Sequence, residues 1–68
     1  MKQVSGKELS KIIQKRGWQL NRVNGSHHIF TKAGRRERMV IPIHGNKPLK
    51  LGLLRSLMKI EGLEERDL

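Results

Sequence analysis

The stretch GSHHIFTKAGRRERMVIPIH, residues 25–44, decides how this chain folds. It runs through Ile29, Phe30 and Thr31, breaks at Ala33-Gly34-Arg35-Arg36, and resumes at Met39, Val40 and Ile41 before Pro42. β-Branched and aromatic residues bounded by turn formers read as strands. The spacing predicts one strand from Ser26 to Lys32 and another from Arg38 to Ile43. Pro42 marks an edge or a strand exit, because proline donates no ladder hydrogen bond. Upstream, Trp18, Leu20 and Val23 precede Asn24-Gly25, a strong hairpin signal, so a third strand leads into these two.

Successive strand residues alternate faces, which sends His27 and His28 to opposite sides. A two-residue turn at Gly34-Arg35, with glycine first as a type II′ turn prefers, pairs Phe30 with Met39 and His28 with Ile41. Those residues and Ile43 make an apolar face that other elements must cover. The opposite face carries His27, Ile29, Thr31, Val40, Pro42 and His44. His44 then lies one diagonal step from His27; a shifted turn sets the two directly opposite and leaves the faces unchanged. In the first hairpin, a two-residue Asn24-Gly25 turn places Trp18 and Leu20 on the His27 face. A three-residue Asn24-Gly25-Ser26 loop with a bulge places them with Phe30. The second form is preferred because it gathers the large apolar groups on one side.

Helices flank the strands. Ser5 and Glu8 have the spacing of a capping box, Val4 and Leu9 that of a hydrophobic staple, and Leu9, Ile12 and Ile13 fall on one arc. A helix is expected from Ser5 to Arg16, ended by Gly17. From about Lys50 to Ile60, Leu53, Leu54, Leu57, Met58 and Ile60 span an arc of about 160°, with Arg55, Ser56 and Lys59 opposite. That stripe reads as core, and Gly62 as its stop. The fold class is therefore α+β in the order α-β-β-β-α, a three-stranded antiparallel sheet with both helices on one face. Residues 1–68 read as one domain, with an acidic tail over 61–68 that adds a further turn or frays.

Charge narrows the function. Fifteen Lys and Arg oppose six Asp and Glu, and four of those acids lie in the last eight residues. Residues 1–60 hold 14 basic and 2 acidic side chains, a net of +12, which attracts polyanions. With no cysteine there is no disulfide framework, thiolate nucleophile or Cys-ligated zinc, which fits a cytoplasmic protein. No apolar run approaches the roughly 20 residues of a membrane helix, and the first ten residues lack a signal core. Phe30 and Trp18 are the only aromatics, too few for a base-stacking platform. Three histidines without a neighbouring carboxylate make no convincing metal set, so neither metal nor small-molecule cofactor is expected.

Three blocks now stand out: Gly-Ser-His-His-Ile-Phe (25–30), Ile-Pro-Ile-His-Gly-Asn (41–46) and Leu-Gly-Leu-Leu-Arg-Ser-Leu (51–57), after a Gly17-Trp18 helix exit. In this order and spacing they resemble the HicA toxin family, from about Gly6 to Leu63. The resemblance implies a fold like the double-stranded-RNA-binding domain. It implies a toxin that blocks translation by cleaving mRNA without a metal, and an inhibiting HicB-type antitoxin, expected to be acidic. In the family pattern the histidine directly after Gly-Ser does the chemistry, which maps onto His27, with Gly25 and Ser26 as its backbone frame. Some members carry Gly-Ser-x-His, which maps onto His28. This chain satisfies both forms; the alternation of faces favours His27.

The residue types suit that chemistry. RNA carries its own nucleophile, the 2′-OH, and an imidazole accepts a proton close to neutral pH. His44 is the candidate helper, as general acid or phosphate ligand. Lys32, Arg35, Arg36 and Arg38 are candidate phosphate ligands. Blander readings stand beside these: a structural His28, a loop-end His44, turn glycines at Gly25 and Gly34, and a merely solvated arginine turn. Two whole-protein alternatives remain, a non-catalytic module for double-stranded RNA and an inactive toxin kept as a protein-interaction domain.

Overall fold

The computed structural model describes residues 2–68 and runs α1 (Gly6–Gln14), β1 (Gln19–Asn24), β2 (His27–Thr31), β3 (Met39–Pro42), α2 (Leu51–Glu61) and a 3-10 turn at Glu65–Asp67. The strands form one antiparallel sheet in the order β1-β2-β3. The capping box is present in both directions. The Glu8 N–H donates to Ser5 Oγ at 3.1 Å and the Ser5 N–H to Glu8 Oε1 at 3.1 Å. The Ser5 N–H on the carboxylate, with the Ser5 side chain beside it, holds the Glu8 carboxyl below its ordinary value.

Both helices cover the same face of the sheet. Leu9 and Ile13 from α1, and Leu54, Leu57 and Met58 from α2, pack on Phe30, Met39 and Ile41, with Val4, Trp18 and Leu63 closing the core. Large side chains of this kind each contribute about 1.5–3 kcal/mol on burial. The α1–sheet contact is tight: a Cβ on Gly6 would sit 2.2 Å from the Pro42 carbonyl oxygen. Only a residue without a side chain lets the helix start this close to β3.

The β2–β3 register is the expected one, Phe30 opposite Met39 and His28 opposite Ile41. The turns that set it differ from expectation. The Arg35 N–H donates to the Lys32 carbonyl at 3.0 Å, and Gly34 has φ +81, so the turn centres on Ala33-Gly34 with glycine third, as in type II. The first hairpin turns on two residues, Gly25-Ser26, with Asn24 opposite His27; it is not the three-residue loop favoured from the sequence. Gly25, at φ +63, takes the first turn position that type II′ geometry gives to glycine. The bulge lies upstream, between Leu20 and Arg22. An edge strand has one side free, so the extra residue, Asn21, is accommodated there without breaking a second ladder.

The bulge still turns β1 inward. Leu20 stands opposite Phe30, and Trp18 is buried in the core. The helices do not reach over β1, however, and Leu20 and Val23 keep 46% and 51% exposure. Leu53 also departs from the expected core stripe at 37% exposure. The acidic tail folds back: Leu63 is buried, Leu68 packs against the core, and Asp67 pairs with Arg16 at 3.1 Å.

Candidate functional site

Antiparallel partners share a face, so the register lays out the sheet's helix-free surface in rows. One row is Asn24, His27 and Pro42; the next is Arg22, Ile29 and Val40. His27 is exposed at the start of the central strand, beyond the reach of either helix. Ser26 and Gly25 hold it through the hairpin turn, and the Ile43 N–H donates to the Ser26 carbonyl at 2.8 Å. That bond continues the β2–β3 pairing past Pro42 and brings the exposed His44 to the same end of the sheet.

His28 faces the other way and is half-buried. Its Nδ1 lies 3.2 Å from the Ser26 carbonyl oxygen. A carbonyl only accepts, so Nδ1 carries the proton and donates it, and the ring is held in that tautomer. One ring nitrogen of His28 is thereby committed to bracing the turn that presents its neighbour.

The four predicted phosphate ligands separate into two pairs. Lys32 and Arg35 converge on a carboxylate the sequence reading had counted only as acidic tail. Glu61, the last residue of α2, has a side chain 6% exposed. It accepts the Trp18 indole N–H at 2.7 Å and lies 3.5 Å from Lys32 Nζ, 3.7 Å from Arg16 and 3.8 Å from Arg35. Arg35 also donates to the Ile60 carbonyl, pairs with Glu37 at 3.2 Å, and lies over the Trp18 ring at 5.7 Å from its centroid, within cation–π range. Burial raises the Glu61 carboxyl, but the Trp18 hydrogen bond and the charges of Lys32 and Arg16 outweigh it and hold the group below its ordinary 4.5.

Arg36 and Arg38 are exposed and make no side-chain ion pair or hydrogen bond among the described residues. So does Arg22, which the sequence reading passed over. Its signal was the alternation in Asn21-Arg22-Val23-Asn24, which sets Arg22 and Asn24 on one face once the turn is fixed. At the His27 end, a cleft of about 270 Å³ opens between β3 and the start of α2. Pro42, Pro48, Leu49 and Leu53 form its apolar walls, and the exposed His44, Lys47 and Lys50 line it too. No three His, Cys, Asp or Glu side chains group as a metal-holding set among the described residues.

In a comparison against protein families, the model described as the HicA toxin of bacterial toxin-antitoxin matches residues 6–63. The chain belongs to the HicA toxin family. As a HicA toxin it belongs to a toxin-antitoxin system, and an antitoxin is its partner by family. The match begins at Gly6, which meets β3, and ends at Leu63, so it takes in every buried core residue except Val4. A search of curated proteins gives no match to this HicA chain. Among the described residues, no helix is long and apolar enough to cross a membrane.

Proposed function

We propose that this HicA toxin is a metal-independent mRNA endoribonuclease that acts in the cytoplasm, stops translation, and is held in check by an acidic HicB-type antitoxin. The observation that carries the reading is the exposed imidazole of His27 on the helix-free face, at the end of the sheet where unpaired cations gather. His27 takes the proton of a ribose 2′-OH. The freed oxygen attacks the adjacent phosphorus, the bond to the 5′-oxygen breaks, and a 2′,3′-cyclic phosphate remains. The departing 5′-oxygen needs a proton, and His44 is assigned that role. Arg36, Arg38 and Arg22 neutralise phosphates along the strand. Lys32 and Arg35 reach RNA only by leaving Glu61, and they are assigned chiefly to the fold. His28 is assigned to bracing the turn.

The test is purified protein incubated with mRNA in EDTA. His27→Ala should slow cleavage by about 10²–10⁴-fold, the usual worth of a general base, with the melting temperature unchanged. DNA of the same sequence should bind and survive, since it lacks the 2′-OH. Tight RNA binding with no cleavage by the wild type would instead identify a double-stranded-RNA module. A wild type that neither cuts RNA nor arrests growth on induction would identify an inactive toxin kept for protein contacts.

A further inference from the structure

We propose that the cleft between β3 and the start of α2 is a subsite for one nucleotide of single-stranded RNA, its base against Pro42, Pro48 and Leu53 and its phosphate on Lys47 and Lys50. This rests on the RNA-cleaving reading and adds a location for the substrate beside the cut. Three observations carry it. The cleft's charge is of one sign: two lysines line it beside His44, and no carboxylate does, which selects an anion. Its walls are apolar and include Leu53, a residue of the helix's hydrophobic stripe left 37% exposed over the opening. Such a wall selects a flat, weakly hydrated ring beside the anion, and a nucleotide joins both in one group. Third, Pro42 is the cross-strand partner of His27. Neighbouring strands lie about 4.8 Å apart, so a base resting on Pro42 adjoins the ribose that His27 acts on.

Size agrees with a single nucleotide. The cleft's 270 Å³ falls just under the roughly 300–1,000 Å³ of pockets for drug-sized ligands. A purely acidic segment such as hexaglutamate would satisfy the lysines but leave the apolar walls unfilled.

The test is a titration of the isotope-labelled wild-type protein, followed by amide shifts, with a 2′-O-methyl RNA tetranucleotide that lacks the nucleophile and cannot be cut. Inorganic phosphate and hexaglutamate are titrated in parallel. The tetranucleotide should shift the amides of Leu49, Lys50 and Leu53, and phosphate should do so only weakly. Lys47→Gln with Lys50→Gln should lower the log–log salt slope of tetranucleotide binding by about 0.7, the value for one phosphate contact in a single strand. Leu53→Ser should weaken binding with the slope unchanged. Shifts confined to other surfaces, an unaltered slope in the double variant, or tighter binding of hexaglutamate at the cleft would overturn the subsite. The two readings fail separately: mRNA cut normally by the double variant with an unaltered slope removes the subsite alone. Cleft shifts in a wild type that cuts no mRNA in EDTA remove the nuclease alone.

Discussion

The two ends of the sheet use the same residue types for opposite purposes. At the Thr31 end, Lys32, Arg35 and Arg16 surround Glu61, and Trp18 completes the group. At the His27 end, about 13 Å away along β2 by strand rise, Lys47 and Lys50 lie exposed beside His44 without an ion pair among the described residues. The helix α2 joins them, with Glu61 at one terminus and the cleft at the other. One buried carboxylate, Glu61, centres the difference, joined by Asp67 on Arg16 and Glu37 on Arg35. Where it is present, cations hold helix, sheet and tail together; where none reaches, cations are left for a ligand.

This comparison can be broken or sharpened by substitution at either end. The largest effect expected of stability is at Glu61. Glu61→Ala strips the Trp18 N–H and three cations of their shared acceptor and should cost about 1–3 kcal/mol, read as a lower denaturation midpoint. His27→Ala should cost almost nothing by the same measurement. Equal losses at the two positions would erase the distinction between the ends.

Acid should act at the same place. The folded Glu61 carboxyl is held below its ordinary 4.5, so the stability it contributes is full above that value and falls away as pH drops through the lower folded one. Thermal melts from pH 6 downward should show a decline that Glu61→Gln flattens. An identical decline in the variant would place the acid sensitivity elsewhere.

A smaller and finer test separates the arginines. Arg36→Gln with Arg38→Gln should reduce the salt slope of RNA binding by about 1.4 and move stability by no more than about 0.5 kcal/mol, as surface changes usually do. Lys32→Gln with Arg35→Gln should do the reverse, lowering the melting temperature and leaving the slope nearly intact. A large slope change in the second pair would show that Glu61 gives up its cations to RNA. At the cap, which belongs to neither end of the comparison, Ser5→Ala should cost about 1 kcal/mol.

Much of the fold was legible because its signals are local. The capping box needs two residues three apart, and strand alternation assigned His27 and His28 to opposite faces without any knowledge of packing. The β2–β3 register, Phe30 opposite Met39, was reached by assuming a turn at Gly34-Arg35, and the chain keeps that register while turning at Ala33-Gly34. The bulge at Asn21 was not legible in position, since any of several β1 residues could absorb the extra step and only the fit of Trp18 into the core selects one. Leu53 belonged to the right stripe, but the width a helix buries depends on what lies beneath it.

Sequence alone determined the order of elements, the capping of α1, the apolar face of the sheet and the outward direction of the residue 27 imidazole. These follow from periodicity and backbone stereochemistry over a few residues. Tertiary structure alone decided that Glu61 meets Trp18, Lys32 and Arg35, and that Pro42 and Leu53 open a cleft beside the histidine. Those pairs are 11 to 43 positions apart, and their pairing exists only once the helices have packed on the sheet.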